Sequence, residues 1–104
     1  MSAVFISRQT RIDLDNIVIG LLDWEKIILT VAEVEQYVDD IVEVAYSLNK
    51  KSIHFRAIYN KHLKYGTYVY PYKRNANTTW YIIYNKIGED IYIEKIISNH
   101  LTSS

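Results

Sequence analysis

The most constraining feature of the sequence is an apolar stripe along residues 30 to 48. Thr30 and Glu33 have the spacing of a capping box, in which a hydroxyl and a carboxylate three residues later satisfy free backbone N–H groups. Apolar residues then recur at alternating steps of three and four, namely Val31, Val34, Val38, Ile41, Ala45 and Leu48. This spacing predicts an amphipathic helix. Such a helix must bury its apolar face against another element.

A weaker helical pattern precedes this one. Its apolar positions are Leu14, Ile17, Val18 and Leu21. Thr10 followed by Asp13 offers a second capping pair, so the pattern predicts a helix from Thr10 to about Asp23 or beyond. Residues 3–7 before it are apolar enough for a short strand. A strand followed by two amphipathic helices predicts a helical hairpin over residues 10–48.

Three strand-like runs follow in the C-terminal part of the chain. They cover residues 65–74, 78–85 and 90–97, and each alternates its side chains. Pro71 suggests that the first strand is interrupted or lies at a sheet edge. The turn over residues 75–77, Asn-Ala-Asn, has residues that tolerate left-handed backbone. The last run is predicted to alternate strictly, with one side carrying Ile91, Ile93, Lys95 and Ile97 and the other Tyr92, Glu94 and Ile96.

These elements predict a single α+β domain over residues 1–104. It consists of an N-terminal strand, a helical hairpin and a three- or four-stranded antiparallel sheet, with the hairpin on one face. Residues 52–63 show a weaker pattern and are interpreted as an irregular basic connection. The other face of the sheet, or its edges, is then predicted to be free. Which residues of each strand are buried stays open, because a one-residue slip exchanges the faces.

Composition limits the class of protein and divides the chain by charge. The 104 residues contain no cysteine, so disulfides and thiolate metal sites are excluded. No signal peptide and no apolar run long enough to span a bilayer is visible, which leads us to expect a cytoplasmic protein without a membrane partner. Residues 1–49 hold three basic and nine acidic residues, and residues 50–104 hold nine basic and three acidic. The halves therefore carry −6 and +6, which indicates either an anionic partner or mutual attraction within the fold.

The stretch YPYKRNANTTWYIIYN, residues 70–85, combines four tyrosines and a tryptophan with Lys73 and Arg74. Basic side chains bind phosphates and aromatic faces stack on unpaired bases, so the stretch has the composition of an RNA-binding surface. Tyrosine is also a good strand residue, and a half-buried hairpin explains the same composition.

The three histidines, His54, His62 and His100, are widely separated and have no carboxylate cluster beside them. We therefore expect no metal and no cofactor. His100 directly follows the last predicted strand. A histidine there can transfer protons near neutral pH, or it can be an ordinary residue of a tail.

The order of elements, together with the phrase YKRNANTTWYIIYNKIGEDIYIEKIISNH, resembles the RelE/ParE superfamily of toxins from bacterial type II toxin–antitoxin systems. The resemblance implies a small growth-inhibiting protein that a cognate antitoxin neutralises. In the RelE-like branch it implies a ribosome-dependent mRNA endoribonuclease that uses the RNA 2′-hydroxyl as nucleophile and needs no metal. In the ParE-like branch it implies a non-nuclease inhibitor of DNA gyrase. An inactive, toxin-like binding module is a third possibility.

The resemblance also implies roles for individual residues. Lys73 and Arg74, before the WY…Y strand, would stabilise the scissile phosphate, and His100 would be the general acid or base. The RNA-binding set would be Arg56, Lys61, Lys64, Tyr72 and Tyr81, the last standing where many relatives have an arginine. The nuclease interpretation predicts that Arg74, Lys73, Arg56 and His100 gather around one hollow.

Overall fold

A computed structural model of the chain describes residues 2–23 and 30–99. It confirms the predicted α+β class. The elements are β1 (Val4–Ile6), α1 (Arg8–Asp23), α2 (Val31–Tyr46), a 3-10 turn (Leu48–Lys50), the one-turn helix α3 (Asn60–Leu63), β2 (Tyr68–Lys73), β3 (Thr79–Ile87) and β4 (Asp90–Ser98). None of the helices within the described part of the chain is long and apolar enough to cross a membrane.

The four strands form one sheet in the order β1-β4-β3-β2. The three C-terminal strands pair antiparallel, as predicted. β1 pairs in parallel with β4 and aligns Val4 with Ile91, so the complete sheet is mixed. The parallel pairing follows from the helical hairpin, because only a long crossover can return the chain in the same direction.

The helical hairpin covers one face of the sheet and forms the core there. Its buried side chains interlock with those of β3 and β4 in one cluster: Ile17, Val38, Ile41, Ala45, Leu48, Trp80, Ile82, Tyr84, Ile91, Ile93 and Ile96. Trp80, Ile82 and Tyr84 are therefore the set of β3 that faces the helices. The Trp80 indole N–H donates to the Tyr37 hydroxyl over 2.9 Å, so the largest core residue also has its polar atom satisfied.

The start of α2 is confirmed and the predicted start of α1 is wrong. Thr30 and Glu33 form the complete capping box. In α1 the helix begins at Arg8, and the Ser7 hydroxyl accepts from the Thr10 N–H over 3.0 Å. Ser7 is thus the capping residue. Thr10 and Asp13 are buried one turn further on, where they contact the sheet.

Strict alternation along β4 is also wrong, because the pairing with β3 shifts register. Ile83 aligns with Lys95 but Tyr84 aligns with Ile93, which leaves Glu94 as the extra residue of a bulge. The buried side of β4 consequently consists of Ile91, Ile93, Ile96 and Ser98 instead of a regular alternate set.

The turn between β2 and β3 closes without left-handed backbone, since every positive φ within the described residues belongs to glycine. The Asn75 side chain accepts from the N–H groups of Asn77 and Thr78 at 2.9 and 3.0 Å. The turn between β3 and β4 does use positive φ, at Gly88 (61°), which suits the first position of a two-residue hairpin loop.

The second face of the sheet is partly covered, in contrast to the prediction of a free face. Residues 55–57 pair with the outer edge of β2 through the bridge between Arg56 and Tyr68, and α3 then returns over the sheet. Gly66 approaches Ile83 so closely that an added Cβ would lie 3.0 Å from its side chain. As a result Ile83 is fully buried although it points away from α1 and α2.

Asp13 gives the first test of this architecture. Its carboxylate accepts from the Ile96 N–H over 3.2 Å and from the Lys95 ammonium over 2.7 Å. We expect Asp13→Ala to lower the free energy of unfolding by about 3 kcal/mol, because it leaves a buried N–H and a half-buried cation without their acceptor. Asp15→Ala on the exposed side of α1 is the matched control and should change it by less than about 0.5 kcal/mol. Urea unfolding of both variants measures the difference, and equal values would exclude this role for Asp13.

His62 gives a pH-dependent test of the covered face. Its ring packs on Tyr81 with 4.8 Å between centroids, and neither ring nitrogen has a hydrogen-bond partner among the described residues. Burial, with the nearby Lys61 charge, lowers the pKa of His62.

The unfolded chain therefore binds the proton more readily, and stability should fall as pH drops below about 6.5, the ordinary histidine value. We expect His62→Phe to unfold like the wild type in urea at pH 7.5 and to lose less stability at pH 5.5. If both proteins lose the same stability between pH 7.5 and pH 5.5, His62 is not buried in its neutral form.

Candidate functional site

A concentrated polar site lies at the end of the sheet where β3 ends and β4 begins. His54, in the connection before β2, reaches Tyr84 of β3, and its Nδ1 lies 2.7 Å from the Tyr84 hydroxyl. Its Nε2 lies 3.0 Å from the Lys51 carbonyl oxygen. Both ring nitrogens are thus fixed by neighbours, so the imidazole is held in one orientation.

These contacts define the protonation pattern of neutral His54. A carbonyl oxygen can only accept, so Nε2 carries the hydrogen and Nδ1 accepts from the Tyr84 hydroxyl. Burial, with a smaller contribution from Tyr68, raises the pKa of Tyr84 to about 12, so this hydroxyl keeps its proton at neutral pH. A hydroxyl can also accept, and the pair therefore accommodates the imidazolium form, in which Nδ1–H donates to Tyr84.

Two lysines stand beside this pair at an open cavity of about 210 Å³. We call this cavity with the His54–Tyr84 pair the histidine–tyrosine site. Its lining residues are Ser2, Asn49, Lys51, His54, Lys86, Glu89 and Ile91. The Lys51 ammonium also lies 5.2 Å from the centre of the Tyr70 ring. Two ammonium groups against one carboxylate give the cavity a positive balance.

Aromatic rings and a guanidinium extend the site along the edge of the sheet. Tyr68 stacks on Tyr84 with 5.6 Å between ring centroids, and His54 meets Tyr68 edge-on at 6.1 Å. The Arg56 guanidinium lies 5.8 Å from the centre of the Tyr68 ring. The site therefore continues as a row of cationic groups over tyrosine faces, an arrangement suited to a phosphate with a neighbouring base.

Arg74, one of the residues expected at the phosphate, is engaged by α2. Its guanidinium donates to the Asp40 carboxylate over 2.5 Å and lies 4.3 Å from the centre of the Tyr37 ring. The hydrogen bonds to Asp40 and Tyr72 raise the pKa of Arg74, and the bond from Arg74, with that from Gln36, lowers the pKa of Asp40. This cation is thus already neutralised within the fold.

Lys73, in contrast, is exposed and its position in β2 directs it to the opposite face of the sheet from Arg74. Tyr72 lies on the helix side and lines a shallow cleft with Asp40 and Glu43, whose carboxylates disfavour a phosphate. Tyr68 and Lys73 mark the two ends of β2, about 17 Å apart for a regular strand. Lys73 and Arg74 therefore do not share a hollow with Arg56.

The remaining expected RNA contacts divide between the faces. Tyr81 is half-buried under His62 on the second face. Lys61 and Lys64 are exposed in and just after α3, where their ammonium groups lie 5.7 and 5.1 Å from the rings of Tyr59 and Tyr65. Only Arg56 of the expected set borders the histidine–tyrosine site.

His100, the expected proton-transfer group, lies outside the described residues. The residue before it, Asn99, donates its N–H to the Thr79 carbonyl oxygen at the end of the sheet that carries Lys73 and Arg74. Over residues 2–23 and 30–99 there is no group of three or more histidine, aspartate or glutamate side chains that could hold a metal ion.

Sequence reasoning missed His54, Tyr84, Lys51 and Lys86 as members of one site. His54 fell in the connection interpreted as irregular, and no local pattern links it to a tyrosine thirty residues later. The alternation HFR over residues 54–56 was the available signal, since it places His54 and Arg56 on one side of an extended segment.

Comparison of the chain with protein-family models, with curated proteins and with solved structures found no match.

Arg74 and Lys73 can be separated experimentally by their effect on stability. Arg74→Ala should lower the free energy of unfolding, since stacking on Tyr37 alone contributes about 0.5 to 1 kcal/mol and the ion pair with Asp40 is lost as well. Lys73→Ala removes the neighbouring exposed side chain, at the end of β2, and should leave the free energy of unfolding unchanged. Thermal unfolding at low and high salt is the measurement. If Arg74→Ala leaves the stability unchanged, the guanidinium is free for a ligand.

Proposed function

We propose that the protein is a toxin of a type II toxin–antitoxin system that cleaves mRNA on the ribosome at the histidine–tyrosine site. The observation that carries this proposal is the fixed His54–Tyr84 pair beside Lys51 and Lys86, in a cavity open to solvent. The strand order, with a helical hairpin on one face, is compatible with the RelE/ParE-like arrangement that the sequence resembles.

The proposed reaction uses groups of this chain, the RNA and a water molecule. The 2′-hydroxyl attacks the adjacent phosphorus, and the bond to the 5′-oxygen breaks. The imidazolium form of His54 releases its Nε2–H from the Lys51 carbonyl oxygen and donates that proton to the leaving oxygen, while water takes the proton of the 2′-hydroxyl. Products are a 2′,3′-cyclic phosphate and a 5′-hydroxyl. General acid catalysis of this kind contributes about 10²- to 10⁴-fold.

The neighbouring groups have separate tasks in this scheme. Lys51 and Lys86 stabilise the charge that accumulates on the non-bridging oxygens of the phosphorane-like transition state. Tyr84 is almost completely buried, so it is a positioning residue that fixes the orientation of the His54 imidazole. Tyr68 and Arg56 offer a stacking face and a cation for the flanking nucleotide.

The wider setting follows from the same proposal. The protein acts in the cytoplasm, where a cognate antitoxin holds it inactive, and release of the toxin arrests translation and growth. Binding to the ribosome supplies the correctly positioned mRNA, so free RNA is a poor substrate.

Inducible expression followed by sequencing of RNA 5′ ends tests the proposal. The wild type should arrest growth and produce new 5′-hydroxyl ends within coding regions. His54→Ala should lower the yield of these ends by about 100-fold or more, and the double variant Lys51→Ala, Lys86→Ala should do the same. Arg11→Ala, an exposed arginine of α1, is the control and should cut like the wild type.

The same assay distinguishes the two ends of the sheet. Lys73→Ala and His100→Ala should retain cleavage if the histidine–tyrosine site carries the chemistry. Loss of cleavage in these two variants, with His54→Ala still active, would return the active site to the residues that the family resemblance implies. Circular dichroism of each purified variant separates lost chemistry from lost folding.

A non-nuclease toxin directed at a protein such as DNA gyrase is the second candidate. The pairing of Arg74 with Asp40 favours it, because one of the two cations expected at the phosphate is already neutralised. This candidate predicts DNA-damage signalling with intact mRNA in the same expression experiment. Harmless expression of a folded protein would instead favour an inactive, toxin-like binding module.

A further inference from the structure

Residues 58–66, which include α3, form a loop over the second face of the sheet, and we call them the flap. The Ala57 N–H donates to the Thr67 carbonyl oxygen over 2.8 Å, so one backbone hydrogen bond joins the two ends of the flap. The backbone N–H groups of residues 62–66 all donate to carbonyl oxygens of the flap itself. Side-chain packing must therefore hold the flap against the sheet between its two ends.

His62 is the side chain that anchors the flap. Of residues 58–66, all of which the structure describes, His62 alone is buried, with 2% of its surface exposed. Its ring lies on Tyr81 of β3, and Tyr59 meets it edge-on with 5.9 Å between ring centroids. An apolar side chain in this position would leave no polar atom unpaired. Histidine instead makes the anchor of the flap sensitive to protonation near neutral pH.

The surroundings of His62 disfavour the imidazolium form. Neither ring nitrogen has a hydrogen-bond partner among the described residues, and β3 contributes the uncharged Tyr81. The charged side chains of the flap and of the strand segments beside it are four cations and one carboxylate: Lys61, Lys64, Lys73, Lys95 and Glu94. Asp13 of α1 is already paired with Lys95 over 2.7 Å. Protonation would thus place an unpaired charge among like charges in a buried position.

We propose that the flap is an acid-sensitive cover, held closed by neutral His62 and released from the sheet when this histidine binds a proton. The flap opens about its base at Ala57 and Thr67, carries the imidazolium into water and uncovers the Tyr81 ring. The four-residue helix α3 is too short to persist without the sheet, so it unfolds as the flap opens. The core on the other face of the sheet stays folded. The proposal is independent of the RNA chemistry at the histidine–tyrosine site.

The sign and size of the effect follow from proton linkage. In the closed flap His62 stays neutral, whereas in the open flap it titrates near the ordinary histidine value of about 6.5. The open form therefore binds the proton more readily, and opening is favoured as pH falls below about 6.5. The ratio of open to closed molecules should rise about tenfold between pH 7.5 and pH 5.5.

Hydrogen exchange of single amides, followed by NMR on the full-length protein, tests the proposal. The amides of Leu63, Lys64 and Tyr65 report on the flap, and the paired amides of β3 and β4 report on global unfolding. After correction for the intrinsic exchange rate at each pH, protection of the flap amides should fall about tenfold between pH 7.5 and pH 5.5. Low concentrations of urea should leave flap protection unchanged and lower that of β3 and β4, because local opening exposes little surface.

Two variants of the anchor complete the design. His62→Phe keeps an aromatic ring that cannot bind a proton, and flap protection should then be the same at both pH values. His62→Gln, polar but not titratable, should open more often than the wild type at pH 7.5 and show no further change at pH 5.5. Unchanged flap protection in the wild type, or a tenfold fall that persists in either variant, would overturn the proposal. Flap and core amides that respond equally to urea would also overturn it, since the flap would then open only when the whole protein unfolds.

Discussion

The structure depends on how the outer edge of β4 is satisfied where β1 ends. β1 is only three residues long, and its pairing with β4 stops at Ile93. The Thr10 hydroxyl then donates to the Ile93 carbonyl oxygen over 3.0 Å, and the Asp13 carboxylate accepts from the Ile96 N–H. Buried backbone groups without partners are costly, so polar side chains of α1 serve as the continuation of the missing strand. This interaction fixes the height and rotation of α1 over the sheet.

The placement of α1 in turn explains which parts of the fold could be predicted. The existence of the helices and strands followed from periodicity, because amphipathic stripes report burial directly. The role of Thr10 and Asp13 could not follow, since a hydroxyl and a carboxylate at capping spacing look the same whether they serve their own helix or a strand more than eighty residues later. The bulge at Glu94 was equally hidden, because a side-chain alternation in one strand does not reveal a register shift against its partner.

The candidate site shows the same division between local and distant information. That the C-terminal half carries a cationic, tyrosine-rich surface was visible from charge and composition. Charge and composition did not show which of these cations remain available to a ligand. Arg74 has an acidic partner on α2 and His54 has a tyrosine partner on β3, and both pairings join residues at least thirty positions apart. The first removes a cation that local sequence favoured, and the second creates a site that local sequence did not indicate.

The connection before β2 builds one side of the candidate site through the alternation of an extended backbone. Successive side chains point to opposite sides, so His54 and Arg56 reach Tyr68 while Ile53 and Phe55 stay exposed. One short extended segment thus sets the geometry of the candidate site, because its alternation decides which of its side chains reach the tyrosines of β2 and β3.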